Sequence, residues 1–288
     1  MSVGRMKDGR RRSPVAIVVM VVLAILWTLP TFGMLVTSFR SRTDAATSGW
    51  WSALLNPFEA SWTLDNYQRL FENTPVGGTL LNSVVVAVPA TVLPIMFAAF
   101  AAYAFTFIKF PAKELFFLLV VALMVVPIQV AFQPLLNLLG PRGLGISGQF
   151  VAVWLLHTGF GMPLAIYILR NYMSGLPYSV IESAKIDGAT HYQTFWRLVA
   201  PMSAPAIAAF ATLQFLWVWN DLLIARLFLG GGSNTTIIVA LQQLLGTQGQ
   251  GAELLTAGAF MSMLIPLIVF FALQNFLVRG MTAGSVKG

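Results

Sequence analysis

The sequence predicts an all-α membrane protein of six transmembrane helices, and three observations carry that expectation. Of its 288 residues, 57% are hydrophobic and only 9% charged, with a mean hydropathy of +0.78. A soluble domain carries roughly a quarter charged residues, so a surface this poor in charge suits lipid. The apolar residues also gather into six runs, each near the ~20 residues a helix needs to cross the hydrocarbon core. Finally, the basic residues collect on one side of those runs.

Taken in order, residues 1–13 form a cytoplasmic segment in which Arg5, Lys7, Arg10, Arg11 and Arg12 crowd ahead of the first apolar run. The net charge of +7 and the pI near 10.1 could point to nucleic acid, but this placement is what topology requires. No nucleic-acid partner is expected. Residues 14–39 make the first span, too long for a signal-peptide core and followed by no small-residue cleavage site, hence an uncleaved anchor. The polar, Trp-rich stretch 40–79 is long enough for an external subdomain, with short helices around 64–71. The five-helix core, 80–278, then holds spans at 80–107, 115–136, 150–169, 204–229 and 255–278. Within it lies a polar segment, 170–202, and a short basic tail, 279–288, follows.

Orientation follows from the charges. With the N-terminus inside, twelve basic residues fall on the internal side, Lys109, Lys113, Arg170, Lys185, Arg197, Arg279 and Lys287 joining the first five. Arg40, Arg42, Arg69, Arg142 and Arg226 fall outside or near the outer boundary. Both termini are therefore expected in the cytoplasm. Pro30, Pro89, Pro94, Pro127, Pro134, Pro163 and Pro266 interrupt the spans. In lipid such breaks survive only where neighbours satisfy the freed backbone groups. They fit ordinary kinked packing and helices bent around a cavity equally well.

Several patterns lead nowhere. Gly143-Leu-Gly145-Ile-Ser-Gly148 has the spacing of a dinucleotide loop but no preceding strand. The stretch from Gly4 to Arg10 lacks the Lys and Ser/Thr of a phosphate-binding loop, and Asn234-Thr-Thr236 is a bare glycosylation sequon. His157 and His191 are the only histidines and match no metal-ligand spacing. The absence of cysteine removes disulfides, thiolate metal sites and cysteine nucleophiles. No catalytic group and no metal site is expected, so the chain is not read as an enzyme.

The polar segment is different. In Leu176-Pro-Tyr-Ser179-Val-Ile-Glu182-Ser-Ala184-Lys-Ile-Asp187-Gly188-Ala-Thr190-His-Tyr-Gln193, the pairs Ser179/Glu182 and Thr190/Gln193 each have capping-box spacing. Gly188 stands where a left-handed residue ends a helix, and Pro201 closes the second helix. The expectation is two short helices joined by a glycine turn. Val180, Ile181 and Ala184 would form an apolar stripe on the first helix, exposed to a partner.

Glu182-Ser183-Ala184, Gly188, Leu198 and Pro201 resemble the EAA motif of permease subunits of bacterial ATP-binding-cassette importers, with Ser183, Leu198 and Ala200 as mild departures. Further stretches resemble the carbohydrate branch of that family, the maltose-permease G type in particular. They are Thr63-Leu-Asp-Asn-Tyr67, Asn82-Ser83, Ala102-Tyr-Ala-Phe105, Trp219-Asn-Asp221 and the tail from Arg279. Trp50-Trp51 and Gly246-Thr-Gln-Gly-Gln250 are most similar to subunits for α-glucosides or glucosyl polyols. The resemblance implies a type I importer permease fold in the bacterial inner membrane. Glu182, Ser183, Ala184, Asp187, Gly188, Leu198 and Pro201 would form the loop that couples to a cytoplasmic ATPase dimer. ATP and Mg would bind on that ATPase, and this chain would hold no cofactor. The other implied partners are a second, non-identical permease, a periplasmic or lipid-anchored sugar-binding protein, and membrane lipid.

Inside the spans, Gln214, Trp217, Trp219, Asn220 and Asp221, with Gln274 and Asn275, are the polar and aromatic groups of note. Tryptophan offers a sugar an apolar face and amides offer fixed hydrogen bonds, so the first five are candidates for the substrate pathway. Equally, Asp221 and Arg226 could belong to the outer interface, where aromatic and charged residues are ordinary. A secondary transporter would need carboxylates or broken helices at the midplane, and none is evident in the central spans. A non-transporting structural subunit is the other alternative.

Overall fold

A computed structural model of the chain describes residues 13–73, 75–244 and 251–283. The basic cluster Arg5 to Arg12, the glycine-rich link 246–250 and the end of the tail fall outside the described residues. The described chain is all helical apart from one isolated bridge between Arg40 and Trp62. The first elements are α1 (Pro14–Ser38), α2 (Arg42–Thr47), α3 (Ser52–Leu55), α4 (Asp65–Asn73) and α5 (Val76–Phe107). Next come α6 (Lys113–Leu123), a 3-10 turn (Ile128–Ala131), α7 (Phe132–Leu139), α8 (Phe150–Ser174) and α9 (Tyr178–Ile186). Then follow α10 (His191–Thr194), a π-helical stretch (Phe195–Val199), α11 (Ala200–Met202) and α12 (Ala204–Trp219). The last are α13 (Leu223–Leu229), α14 (Ile237–Gln242) and α15 (Ala252–Ala283).

Four of these are long and apolar enough to cross a membrane: Pro14–Ser38, Val76–Phe107, Phe150–Ser174 and Ala252–Gln274. Two bent pairs, Lys113–Leu123 with Ile128–Leu139 and His191–Met202 with Ala204–Trp219, raise the number to as many as six if each pair is one span. The fold is thus an all-α, multi-pass membrane fold. It divides into two units, 1–72 with 244–260, and 73–243 with 261–288.

The first unit is organised by a buried arginine. Arg40, 2% exposed, donates to the Ser48 carbonyl at 3.0 Å, the Asp44 carbonyl at 2.7 Å and the Ser48 hydroxyl. The Asn66 amide donates to the Ser38 and Arg40 carbonyls at 2.9 and 2.8 Å, tying α4 to the end of α1. The short helices of this stretch are thus α2, α3 and α4, of which only α4 lies near 64–71, where they were expected.

In the second unit α5 packs along α8, with α12 against both. Ala90, Ala98 and Ala102 of α5 and Ala152 and Ala165 of α8 are completely buried. Small residues let helix backbones approach closely, which is how packing drives association in lipid. At Gly161 of α8 the approach is closest: a β-carbon there would stand 2.8 Å from the Gln214 amide nitrogen. That amide donates to the carbonyls of Ala90, at 3.2 Å, and His157, at 3.4 Å. One side chain therefore joins α12 to α5 and α8.

Two spans expected to be continuous are broken. The third bends by 91° between Leu123 and Ile128. Pro127 supplies no N–H and holds Val126 away from helical backbone, so the helix cannot run through. The fifth ends at Trp219 and resumes at Leu223. Here Asn220 donates to the Leu216 carbonyl at 2.8 Å, at the end of α12. Asp221 accepts from the Ala225 N–H at 3.0 Å, satisfying the start of α13. Asp221 thus answers an N–H that the break leaves unpaired, whereas Asn220 adds to a carbonyl that its own backbone N–H already meets at 3.2 Å.

Gly161→Leu should lower the stability of the detergent-solubilised protein by about 1–3 kcal/mol, the usual cost of overpacking. Gly159→Leu, where nothing lies within 4 Å of the β-carbon, should change it far less. Thermal unfolding followed by aggregation or fluorescence measures both. Equal effects would show that Gln214 does not lock α8 to α12.

Candidate functional site

The segment after α8 forms the expected helix–turn–helix, with corrections in detail. Helix α9 ends in a complete Schellman arrangement: the Ala189 N–H donates to the Ala184 carbonyl at 2.9 Å and the Gly188 N–H to the Lys185 carbonyl at 3.1 Å. Gly188 has φ +80°, the left-handed backbone that a β-carbon disfavours. Space around it is open, with nothing within 4 Å of where a β-carbon would stand. The second capping box is present. Thr190 Oγ1 accepts from the Gln193 N–H at 3.3 Å, and Gln193 Oε1 accepts from the Thr190 N–H at 2.9 Å.

The first capping box is absent. Pro177 occupies the cap position of α9 with φ −60° and ψ 110°. Its ring fixes a φ suited to helix entry, so the helix starts two residues earlier than the Ser179/Glu182 spacing suggests. Ser179 then lies inside the first turn, and Glu182 stands exposed. The apolar stripe is also corrected: Ile181 is completely buried, in a cluster with Leu169, Met173, Tyr103, Phe195 and Val199. Only part of that stripe is therefore covered. Helix α9 leaves Tyr178, Val180 and Ile186 exposed, the last 81% exposed. Ser183 and Asp187 are exposed and Ala184 half-buried.

Leu198 is half-buried within the π-helical stretch, and Pro201 does not itself close the helix, which runs on to Met202. Proline cannot donate to the carbonyl four residues back. The turn before it widens, with the Ala200 N–H reaching the Phe195 carbonyl. The chain then bends by 70° into α12.

The five residues read as a substrate pathway have different surroundings. Gln214 and Trp219 are buried, at 2% and 3% exposure, and Trp219 stacks on Phe215 with ring centroids 5.6 Å apart. Trp217 is 39% exposed and edges a cavity of about 470 Å³ that opens at the break of the third span. Leu123, Met124, Ile128, Phe160 and Pro163 line it too. Asn220 is exposed, and Asp221 is half-buried with Oδ2 3.7 Å from His157 Nε2. His157 is completely buried, its ring edge-on to Trp217 at 5.9 Å. Metal-ligand spacing is the wrong test for this histidine; its place on α8, eight residues into an apolar helix, is the signal the sequence offers. Gln274 is half-buried, and the side chain of Asn275 falls outside the described residues. Among the described residues no group of three or more His, Asp or Glu could hold a metal ion.

Long apolar helices, two sharply bent helix pairs and a capped helix–turn–helix make this a multi-pass membrane protein. The chain belongs to the family of binding-protein-dependent transport system inner membrane components, which it matches over residues 94–283. It is 48% identical to the osmoprotective compounds uptake permease protein GgtD of Synechocystis sp., over 96% of this chain and 93% of that one. It is 38% identical to the alpha-glucoside transport system permease protein AglG of Rhizobium meliloti, over 96% and 99% of the two chains. A crystal structure of a bacterial ABC transporter involved in the import of the acidic polysaccharide alginate shares the fold, with a TM-score of 0.71 at 18% identity. That match covers 95% of this chain and 99% of the solved one. The chain is therefore a multi-pass permease component and carries no ATPase activity of its own.

Thr190→Val should loosen the first turn of α10 by about 1 kcal/mol, the usual worth of a cap. Faster amide hydrogen exchange at Gln193 measures it. Glu182→Ala should leave exchange in α9 unchanged, since Glu182 caps nothing; acceleration there would restore the first capping box.

Proposed function

We propose that this chain is one permease of an ATP-driven sugar importer, crossing the membrane six times with both termini and the 178–197 loop in the cytoplasm. In this reading each bent pair contributes one span, the second of them beyond the loop, and the fold is that of a type I importer. A second, non-identical permease completes the pathway, and a sugar-binding protein delivers substrate from outside. A cytoplasmic ATPase dimer, holding ATP and Mg, grips the loop.

The observation that carries the reading is the loop itself. A Schellman turn at Gly188 and a capping box at Thr190 give it a set shape, while its outer face offers Glu182, Ser183, Asp187 and an almost fully exposed Ile186. An exposed isoleucine ringed by polar groups suits a docking surface. Leu198 and Pro201 act further along, where the widened turn and bend pass movement of the loop into the fifth span. The name of the relative AglG supports an α-glucoside as substrate and that of GgtD an osmoprotective compound; a glucosyl polyol and a di- or oligosaccharide are the other candidates. On the pathway side, Trp217 and Asn220 are the residues open enough to meet sugar. Gln214, Trp219 and Asp221 hold the broken span in shape around them.

Gly188→Val places a branched side chain at φ +80°, a strain of about 1–2 kcal/mol, on the docking face. Permease abundance should be normal, ATPase retention on co-purification weakened, and uptake lost more completely than ATP hydrolysis. Wild-type uptake and retention would remove the coupling assignment. Topology has its own check, because the chain contains no cysteine. Tyr192→Cys, at a position 71% exposed, should resist an impermeant thiol reagent in intact cells and react in inverted vesicles.

A further inference from the structure

The contacts that hold the loop to the spans differ in kind. Ile181 of α9 is buried among aliphatic side chains at the end of α8. Phe195 stacks on Phe100 of α5 with centroids 4.6 Å apart. Both are apolar contacts, which tolerate sliding. Another is polar and directional: the Tyr103 hydroxyl, near the end of α5, lies 2.9 Å from Nδ1 of His191. Such a bond holds only within a few tenths of an ångström and a limited range of angle.

Its placement is specific. His191 is the first residue of α10, directly after the Thr190 cap and the Gly188 turn. Tyr103 is 5% exposed, edge-on to His191 at 5.9 Å and to Phe195 at 5.5 Å, so its ring cannot swing freely. Beyond Thr194 the backbone passes into the π-helical stretch, a register that recurs where helices adjust for function. The first turn of α10 is thus gripped by α5 on one side and backed by an adjustable turn on the other.

We propose that Tyr103 is a positioning residue for transport: through His191 it converts displacement of the coupling loop into movement of the second span. The inference rests on the coupling-loop reading. When the loop shifts, the apolar contacts slip, and the hydrogen bond carries the first turn of α10 and the end of α5 together. Helix α5 packs along α8 and α12, so its tilt reaches the broken fifth span.

The test uses the complete importer, with its ATPase and binding protein, in vesicles. The probe is whichever of radiolabelled maltose, trehalose or glucosylglycerol the wild type accumulates. Tyr103→Phe keeps the ring and its packing. It should leave ATPase retention and ATP hydrolysis near wild type while lowering sugar moved per ATP about two- to tenfold, the range that one neutral hydrogen bond supports. His191→Leu should do the same. His191→Asn, whose amide can stand where Nδ1 stands, should recover most of the loss, which a purely steric role for His191 would not allow. Wild-type sugar per ATP in Tyr103→Phe, or equal loss in the Asn and Leu variants, overturns the proposal. Gly188→Val in the same vesicles separates the two readings. If it uncouples while Tyr103→Phe does not, the loop couples by another contact. If neither has an effect, the coupling-loop reading itself has failed.

Discussion

A backbone N–H or carbonyl left unpaired in hydrocarbon costs several kcal/mol, and this chain bends its helices inside that medium. How the bends are made tolerable explains most of the structure. At the fifth span, Asp221 covers an N–H of the helix that starts, and Asn220 adds a second bond to a carbonyl of the helix that stops. Gln214 bridges three helices by donating to two further carbonyls. At the second span, the Asn82 amide donates to the Ser233 and Thr235 carbonyls, and Ser83 accepts from the Ile237 N–H, so the loop ahead of α14 is also tied to a helix. The polar residues of the spans serve the backbone first.

The same constraint limits what can move. Helices α5 and α8 meet through fully buried alanines and are pinned where the Trp154 indole N–H donates to the Val85 carbonyl at 2.9 Å. They are suited to tilting together as a rigid pair. The chain changes direction on either side of α12, by 70° near Ser203 and at the break after Trp219, with backbone hydrogen bonds kept at both places. A loop gripped by an ATPase would therefore act on a stiff pair of helices through these bends.

The loop shows how a short-range signal and a long-range contact divide the work. Its turn is set by one glycine at positive φ and its second helix by one threonine–glutamine box. Both are interactions between neighbours in the chain. The burial of Ile181 and the Tyr103–His191 bond join residues distant in sequence. They decide which face of the loop is left for a partner. With Ile181 buried and Val180 and Ile186 exposed, the surface left free on α9 keeps only part of the expected stripe.

The apolar runs, their order, the glycine turn and the Thr190 cap were determined by the sequence alone, because each depends on composition or on spacing within about one helical turn. The resemblance at Glu182, Gly188 and Pro201 likewise placed the loop before any packing was known. Tertiary structure decided the rest. A helix in lipid is apolar on every side, so periodicity cannot tell which face meets protein. That is why the role of Gln214 between α5, α8 and α12 was not legible. A proline at a helix entrance outcompeted the Ser179/Glu182 spacing, since a ring that already has the required φ needs no side-chain cap. Asp221 beside His157, and Tyr103 against His191, pair residues 64 and 88 positions apart. Only the close approach of whole helices, made possible by small residues, could bring them together.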